Sequence, residues 1–127
     1  MTKHVIDVYA WIEYLDGSNS GKKVASLLET NDEAYTCAIT LGEVVSKVAR
    51  MGKDAKIAYD VLLSNSQIIT ANEELSLDAG LIHCEMRKTR KDFGLADAYI
   101  LATARKLKSK IVTGDPHFQG LKAAIMI

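Results

Sequence analysis

Apolar residues fall into two rhythms along this chain. Short solid runs, Val5-Ile6, Ile68-Ile69 and Ile111-Val112, are bounded by polar or turn-forming residues. Runs of this kind fit strands buried on both faces. Between them, apolar residues recur at helical spacing; in "LGEVVSKVARM" they stand at 41, 44, 45, 48 and 51. The pattern predicts strands over 3–7, 34–39, 67–70 and 110–114, with a last one in "AAIMI" at the end of the chain. It predicts helices over 9–15, about 21–29, 41–51, 54–65, 73 to about 90, and 95–107, with a break near "DFG". Strands alternating with helices imply a parallel sheet covered on both faces, an α/β fold.

Length and composition narrow this picture. The 127 residues suit one domain, 1–127, with a single main core. No apolar run approaches the roughly 20 residues of a membrane span. The start, "MTKHVIDVYA", reads as a strand and not as a signal peptide, so a cytoplasmic location is expected. Cys37 and Cys84 lack metal-type spacing and are expected to be buried thiols. The 16 basic residues equal the 16 acidic ones, which argues against coating nucleic acid by bulk charge. Basic residues are nevertheless concentrated in "RKTRK" (Arg87, Lys88, Arg90, Lys91) and "RKLKSK" (105–110), each of which alone reads as a solvated helix face.

In open parallel sheets the functional crevice lies outside the carboxyl ends of the strands. Four acids are expected at that edge. Asp7 closes the first strand, Glu43 stands in the first turn of the helix after the second strand, Asp97 in the first turn of the late helix, and Asp115 after "KIVTG". Each has an ordinary alternative reading. Asp7 and Asp115 fit helix caps, Asp97 suits the positive end of a helix dipole, and Thr40 to Glu43 has the T-x-x-E form of a capping box. Taken singly, the capping readings are favoured. Taken together, four carboxylates in one crevice repel one another unless a cation sits among them. Mg²⁺ or Mn²⁺ suits an all-oxygen donor set, and an ion so held in an open crevice suits phosphodiester hydrolysis. His4, His83 and His117 are scattered and offer no zinc-type spacing. A basic run upstream of Asp97 would then hold a nucleic-acid backbone.

The ordered set "VIDVYAWIEYL", "TLGEVVSKV", "LADAYILATARKL" and "IVTGDPHF" resembles the PIN-domain ribonucleases, in particular the VapC-like toxins of type II toxin–antitoxin pairs. The resemblance spans residues 5–118. It implies a three-layer α/β/α fold with a central, mainly parallel sheet. It also implies Mg²⁺- or Mn²⁺-dependent endoribonuclease activity, leaving a 5′ phosphate and a 3′ hydroxyl. Asp7, Glu43, Asp97 and Asp115 match the family's metal-binding and catalytic acids, and Thr113 its supporting hydroxyl. A homodimer and a small antitoxin partner are further implications. One departure is Val8, which stands where the family commonly has Thr or Ser.

Other signals are weaker. "DGSNSGKKV" misses the P-loop pattern, because three residues separate Gly17 from Gly21 where four are required and Lys23 replaces the metal-binding hydroxyl. His117 reads as an exposed loop histidine, with RNA contact or proton donation as its alternatives. Tyr9 offers a stacking surface for a base, whereas Trp11 reads as core or subunit contact. Two other functions stay open: housekeeping RNA processing without an antitoxin, and a non-catalytic module that binds RNA or protein.

Overall fold

The computed structural model describes residues 2–127. The expected 1–127 domain includes Met1, which lies outside the described residues. The chain runs β1 (Lys3–Ile6), α1 (Val8–Asp16), α2 (Asn19–Leu28), β2 (Glu33–Cys37), α3 (Ala38–Arg50), α4 (Ala55–Asn65), β3 (Gln67–Ile69), α5 (Glu73–Met86), α6 (Leu95–Leu107), β4 (Lys110–Thr113) and β5 (Ala124–Met126). A short 3₁₀ turn, Pro116–Phe118, lies between β4 and β5. The five strands form one sheet in the order β3-β2-β1-β4-β5, and every neighbouring pair is parallel.

Register explains why the strands read as solid apolar runs. Val5 pairs with Ile111 and Ile6 with Val112. Successive side chains alternate across the sheet. Val5 and Ile111 therefore enter the layer with Leu75, Phe93 and Leu101 from the α5–α6 side. Ile6 and Val112 enter the opposite layer, with Trp11, Val24, Val44 and Leu62 from α1 to α4. All four strand residues are fully buried, so neither face leaves a polar alternation to read. Helices on both faces give the three-layer α/β/α arrangement.

Local chemistry sets several boundaries. Asp7 caps α1 by accepting from the Ala10 N–H at 2.9 Å, and Gly17, at φ +67°, ends the helix in the left-handed conformation. Ser18, Asp54 and Asn72 cap α2, α4 and α5 in the same way as Asp7. Trp11 is buried and donates from Nε1 to Thr36 Oγ1 at 3.0 Å, tying α1 to the central strands.

Three expectations require correction. The second strand ends at Cys37, and α3 begins at Ala38, not at 41. The apolar pair Ala38-Ile39 fits a buried strand and a helix face equally well. Thr40 is consequently inside the helix and forms no capping box; its buried Oγ1 has no hydrogen-bond partner among the described residues. Glu43 stands in the second turn of α3, not in the first. Next, α5 stops at Met86, so "RKTRK" occupies the connection to α6 and not a helix face. Finally, Cys37 is buried but Cys84 is exposed on α5, where Leu77 and Leu81 also face outward.

Candidate active site

Parallel strands deliver their ends, and the starts of the following helices, to one edge. β1 delivers Asp7 there and β4 delivers Thr113 and Asp115. The N-terminus of α6 brings Asp97, and α3 brings Glu43. Asp7, Glu43, Asp97 and Asp115 line one crevice of about 180 Å³, together with Lys47 and Ile100.

Hydrogen bonds fix the acids in this crevice. Asp7 is buried and uses both carboxylate oxygens. Oδ1 accepts from the Ala10 N–H, and Oδ2 accepts from the Thr113 hydroxyl across the β1–β4 seam. Thr113 Oγ1 in turn accepts from the Asp115 N–H at 2.9 Å. Asp115 caps the 3₁₀ turn by accepting from the His117 N–H at 2.9 Å, and Pro116 fits the first position of that turn. Asp97 Oδ2 accepts from the Gly94 N–H at 2.8 Å at the start of α6. Three of the four acids therefore do cap helices. Capping orients each carboxylate and leaves it facing the crevice, so the two readings coexist.

The electrostatics follow from the crowding. Burial pushes the Asp7 carboxyl up to about 7, and the charges of Asp115 and Asp97 push the same way; the bonds from Thr113 and Ala10 oppose the rise but do not cancel it. Glu43 is also raised, first by partial desolvation and then by the charge of Asp97. Such a crevice is short of positive charge.

Lys47 is not singled out by the sequence, and His117 reads there only as an exposed loop histidine with RNA contact or proton donation as alternatives. Lys47 follows Glu43 by four positions, one helical turn, and shares its face of α3. That spacing was legible. His117 places Nδ1 2.9 Å from Asp97 Oδ2 and 3.5 Å from Asp115 Oδ1. Donor atoms of Asp97, Asp115 and His117 all lie within 4.8 Å of one another. The idle loop histidine expected from the sequence is instead part of the acid cluster. No local signal reports this, because Asp97 and His117 belong to different elements.

The basic run divides. Arg87, Lys88 and Lys91 are exposed. Arg90 is half-buried, and its guanidinium donates to the carbonyls of His117 at 3.1 Å and Gln119 at 2.8 Å. Tyr9, 41% exposed, packs at the edge of the site against Gly114, where an added Cβ would lie 2.1 Å from its Cε1.

The crevice gathers crowded carboxylate oxygens, short of positive charge, with the His117 imidazole beside two of them. It fits a divalent cation of the Mg²⁺ or Mn²⁺ type. A parallel α/β/α sandwich with an acidic crevice outside its strand ends has the layout in which such sheets place their ligand crevice. The chain belongs to the PIN domain family, whose model matches residues 4–123. Solved structures share the fold. VapBC2 from Rickettsia felis, bound to a DNA fragment from its promoter, superposes with a TM-score of 0.77 at 19% identity, covering 99% of this chain and 98% of that one. VapC20 from Mycobacterium tuberculosis, a sarcin–ricin loop cleaving toxin, gives 0.77 at 17% identity and 98% coverage of both chains. FitAcB from Neisseria gonorrhoeae gives 0.65 at 23% identity, over 98% of this chain and 96% of that one. No curated protein matches the chain. Among the described residues, no helix is long and apolar enough to cross a membrane.

Proposed function

We propose that this chain is a divalent-metal-dependent endoribonuclease and the toxin of a toxin–antitoxin pair. The observation that carries the proposal is the convergence of Asp7, Glu43, Asp97 and Asp115 on one crevice at the strand ends. PIN family membership supports the nuclease class. Structural likeness to VapBC complexes and to a sarcin–ricin loop cleaving toxin supports the toxin role, an antitoxin partner and an RNA substrate. A cytoplasmic setting and a homodimer belong to the same reading.

In this reading Asp97, Asp115 and Asp7 hold the cation, with Glu43 completing the set. When bound, Mg²⁺ or Mn²⁺ supplies Lewis acidity toward the phosphate and its leaving oxygen. The chain's own residues do the rest. Thr113 holds Asp7 in one orientation through its hydroxyl. Glu43, exposed and with its carboxyl raised by partial desolvation and by the charge of Asp97, is suited to take a proton from the attacking water. Lys47 and Arg50 line a second cavity that also includes Glu43, and both suit backbone phosphates leaving the crevice. Arg87, Lys88 and Lys91 extend the basic surface. Arg90 contributes instead by holding the His117 loop.

The test is Mn²⁺ calorimetry together with RNA cleavage, comparing wild type with Asp97→Asn. Binding and cleavage by the wild type, both lost in the folded variant, would support the proposal. A variant that keeps most of its cleavage would refute the site. Growth arrest on expression, relieved by co-expression of a small partner, separates the toxin from a housekeeping nuclease.

A further inference from the structure

We propose that His117, through Nδ1, is a ligand of the cation alongside Asp97 and Asp115, and that it biases the crevice toward Mn²⁺ over Mg²⁺. The proposal rests on the metal-dependent reading above and specifies the donor set of that site.

The backbone holds His117 on both sides. Its N–H is bound by Asp115 Oδ1 and its carbonyl by Arg90. The next residue, Phe118, is fully buried and packs edge-on against Phe93, with centroids 5.8 Å apart. Pro116 fixes its own φ at the first position of the turn and restricts Asp115 before it. The imidazole therefore leaves from a fixed loop, although the ring itself is partly exposed. Arg90 spans 27 positions of sequence to make this clamp.

The distances fit ligation. An octahedral ion with bonds of roughly 2.1 Å sets adjacent ligand atoms about 3.0 Å apart. Nδ1 lies 2.9 Å from Asp97 Oδ2 and 3.5 Å from Asp115 Oδ1. Small side-chain movements bring both to adjacent-ligand spacing. Asp97 Oδ2 is held by the Gly94 N–H and Asp115 Oδ1 by the His117 N–H, so the imidazole is the part that adjusts. The same contacts also describe a histidine that only hydrogen-bonds the carboxylates, and chemistry distinguishes the two cases. Both ions take carboxylates and water readily, but Mg²⁺ dehydrates reluctantly and keeps its waters, whereas Mn²⁺, a transition ion, accepts an imidazole nitrogen at less cost. A nitrogen ligand should therefore favour Mn²⁺ selectively, while a hydrogen-bonding histidine should support both ions alike.

The experiment is electron spin-echo envelope modulation of Mn²⁺ bound to the full chain without RNA, with calorimetry of Mn²⁺ and Mg²⁺. The expected result is directly bonded ¹⁴N coupling in the wild type that disappears in His117→Gln. Losing a ligand should cost at least the roughly tenfold that losing a supporting partner costs, so the variant should lose about tenfold or more in Mn²⁺ affinity, with a much smaller change for Mg²⁺. Mn²⁺ bound without nitrogen coupling would overturn the ligand assignment and leave the metal-dependent reading standing. Failure of the folded wild type to bind Mn²⁺ would overturn both. Absence of nitrogen coupling in the wild type decides against the assignment without any variant, and if His117→Gln folds poorly, His117→Ala and Lys47→Met identify which nitrogen is coupled.

Discussion

Thr113 and Asp7 are joined through a hydroxyl-to-carboxylate hydrogen bond that crosses the seam between the central strand β1 and its neighbour β4, with both residues buried. The same hydroxyl oxygen accepts from the Asp115 N–H, so one side chain sets two acids. Thr113→Val keeps the shape and removes both bonds. Leaving buried polar groups unpaired costs on the order of 1–3 kcal/mol each, and misplacing a supporting partner typically costs about 10–100-fold in metal affinity or activity. Thr113→Ser should recover most of both losses. Urea melts and Mn²⁺ titration check this; a valine variant with wild-type metal affinity would remove Thr113 from the site.

Asp7 gives a pH dependence with a definite sign. Its folded carboxyl is raised from 3.8 to about 7. Between those values the unfolded chain releases a proton that the folded chain keeps, so metal-free stability falls as pH rises through this window and levels off above it. At about 1.4 kcal/mol per unit, the penalty is at most about 4 kcal/mol. Asp7→Asn cannot ionise, and its side-chain oxygen can still cap Ala10. In EDTA the variant should be the more stable protein at pH 8, with its advantage shrinking toward pH 4. Thermal melts that shift in parallel across that range would contradict the assignment.

Asp97 separates capping from chemistry. Asn at this position retains an oxygen for the Gly94 N–H, so Asp97→Asn should lose only about 0.3–1 kcal/mol of helix-dipole stabilisation. Metal binding should fall far more steeply than stability. Equal, modest losses in both would mean that Asp97 is a cap and no more.

What the sequence disclosed follows from what is local. Val5-Ile6 and Ile111-Val112 announce buried parallel strands, and the ends of such strands announce an edge, so the gathering of Asp7, Asp97 and Asp115 was legible. The start of α3 was not, because Ala38 and Ile39 suit either structure and burial decides between them. The T-x-x-E pattern misled for the same reason: Thr40 has the right spacing but lies inside an existing helix. Arg90 and His117 were hidden more deeply. Their roles depend on contacts that only the docking of the 3₁₀ turn against the α5–α6 connection creates.

That docking gives a different expectation for each part of the basic run. Arg90→Ala frees the carbonyls of His117 and Gln119 and should weaken Mn²⁺ binding in the absence of RNA. Replacing Arg87, Lys88 and Lys91 together should leave metal affinity unchanged, weaken RNA binding and flatten its salt dependence, since fewer phosphates are neutralised. If the triple variant binds RNA with an unchanged salt slope, the backbone is held elsewhere, and Lys47 and Arg50 are the next residues to replace.

Two glycines should respond to alanine in opposite directions. At Gly21 a Cβ would stand 2.0 Å from the Glu13 carbonyl oxygen and 3.0 Å from Tyr14 Cα. Those are backbone atoms of α1, so relief requires moving α2 away from it. Overpacking costs roughly 1–3 kcal/mol where side chains can adjust, and Gly21→Ala should reach or exceed the top of that range. At Gly42 nothing lies within 4 Å of the added carbon, and the residue sits inside α3. Gly42→Ala should gain up to about 1 kcal/mol from helix propensity alone. Because Gly42 precedes Glu43, the variant also tests whether the crevice needs a pliable α3. Urea midpoints measure the two stabilities, and Mn²⁺ affinity measures the site. A stabilised Gly42→Ala protein with unchanged affinity means that α3 presents Glu43 as a rigid element; a stabilised protein with weakened affinity means that the site draws on flexibility at this position.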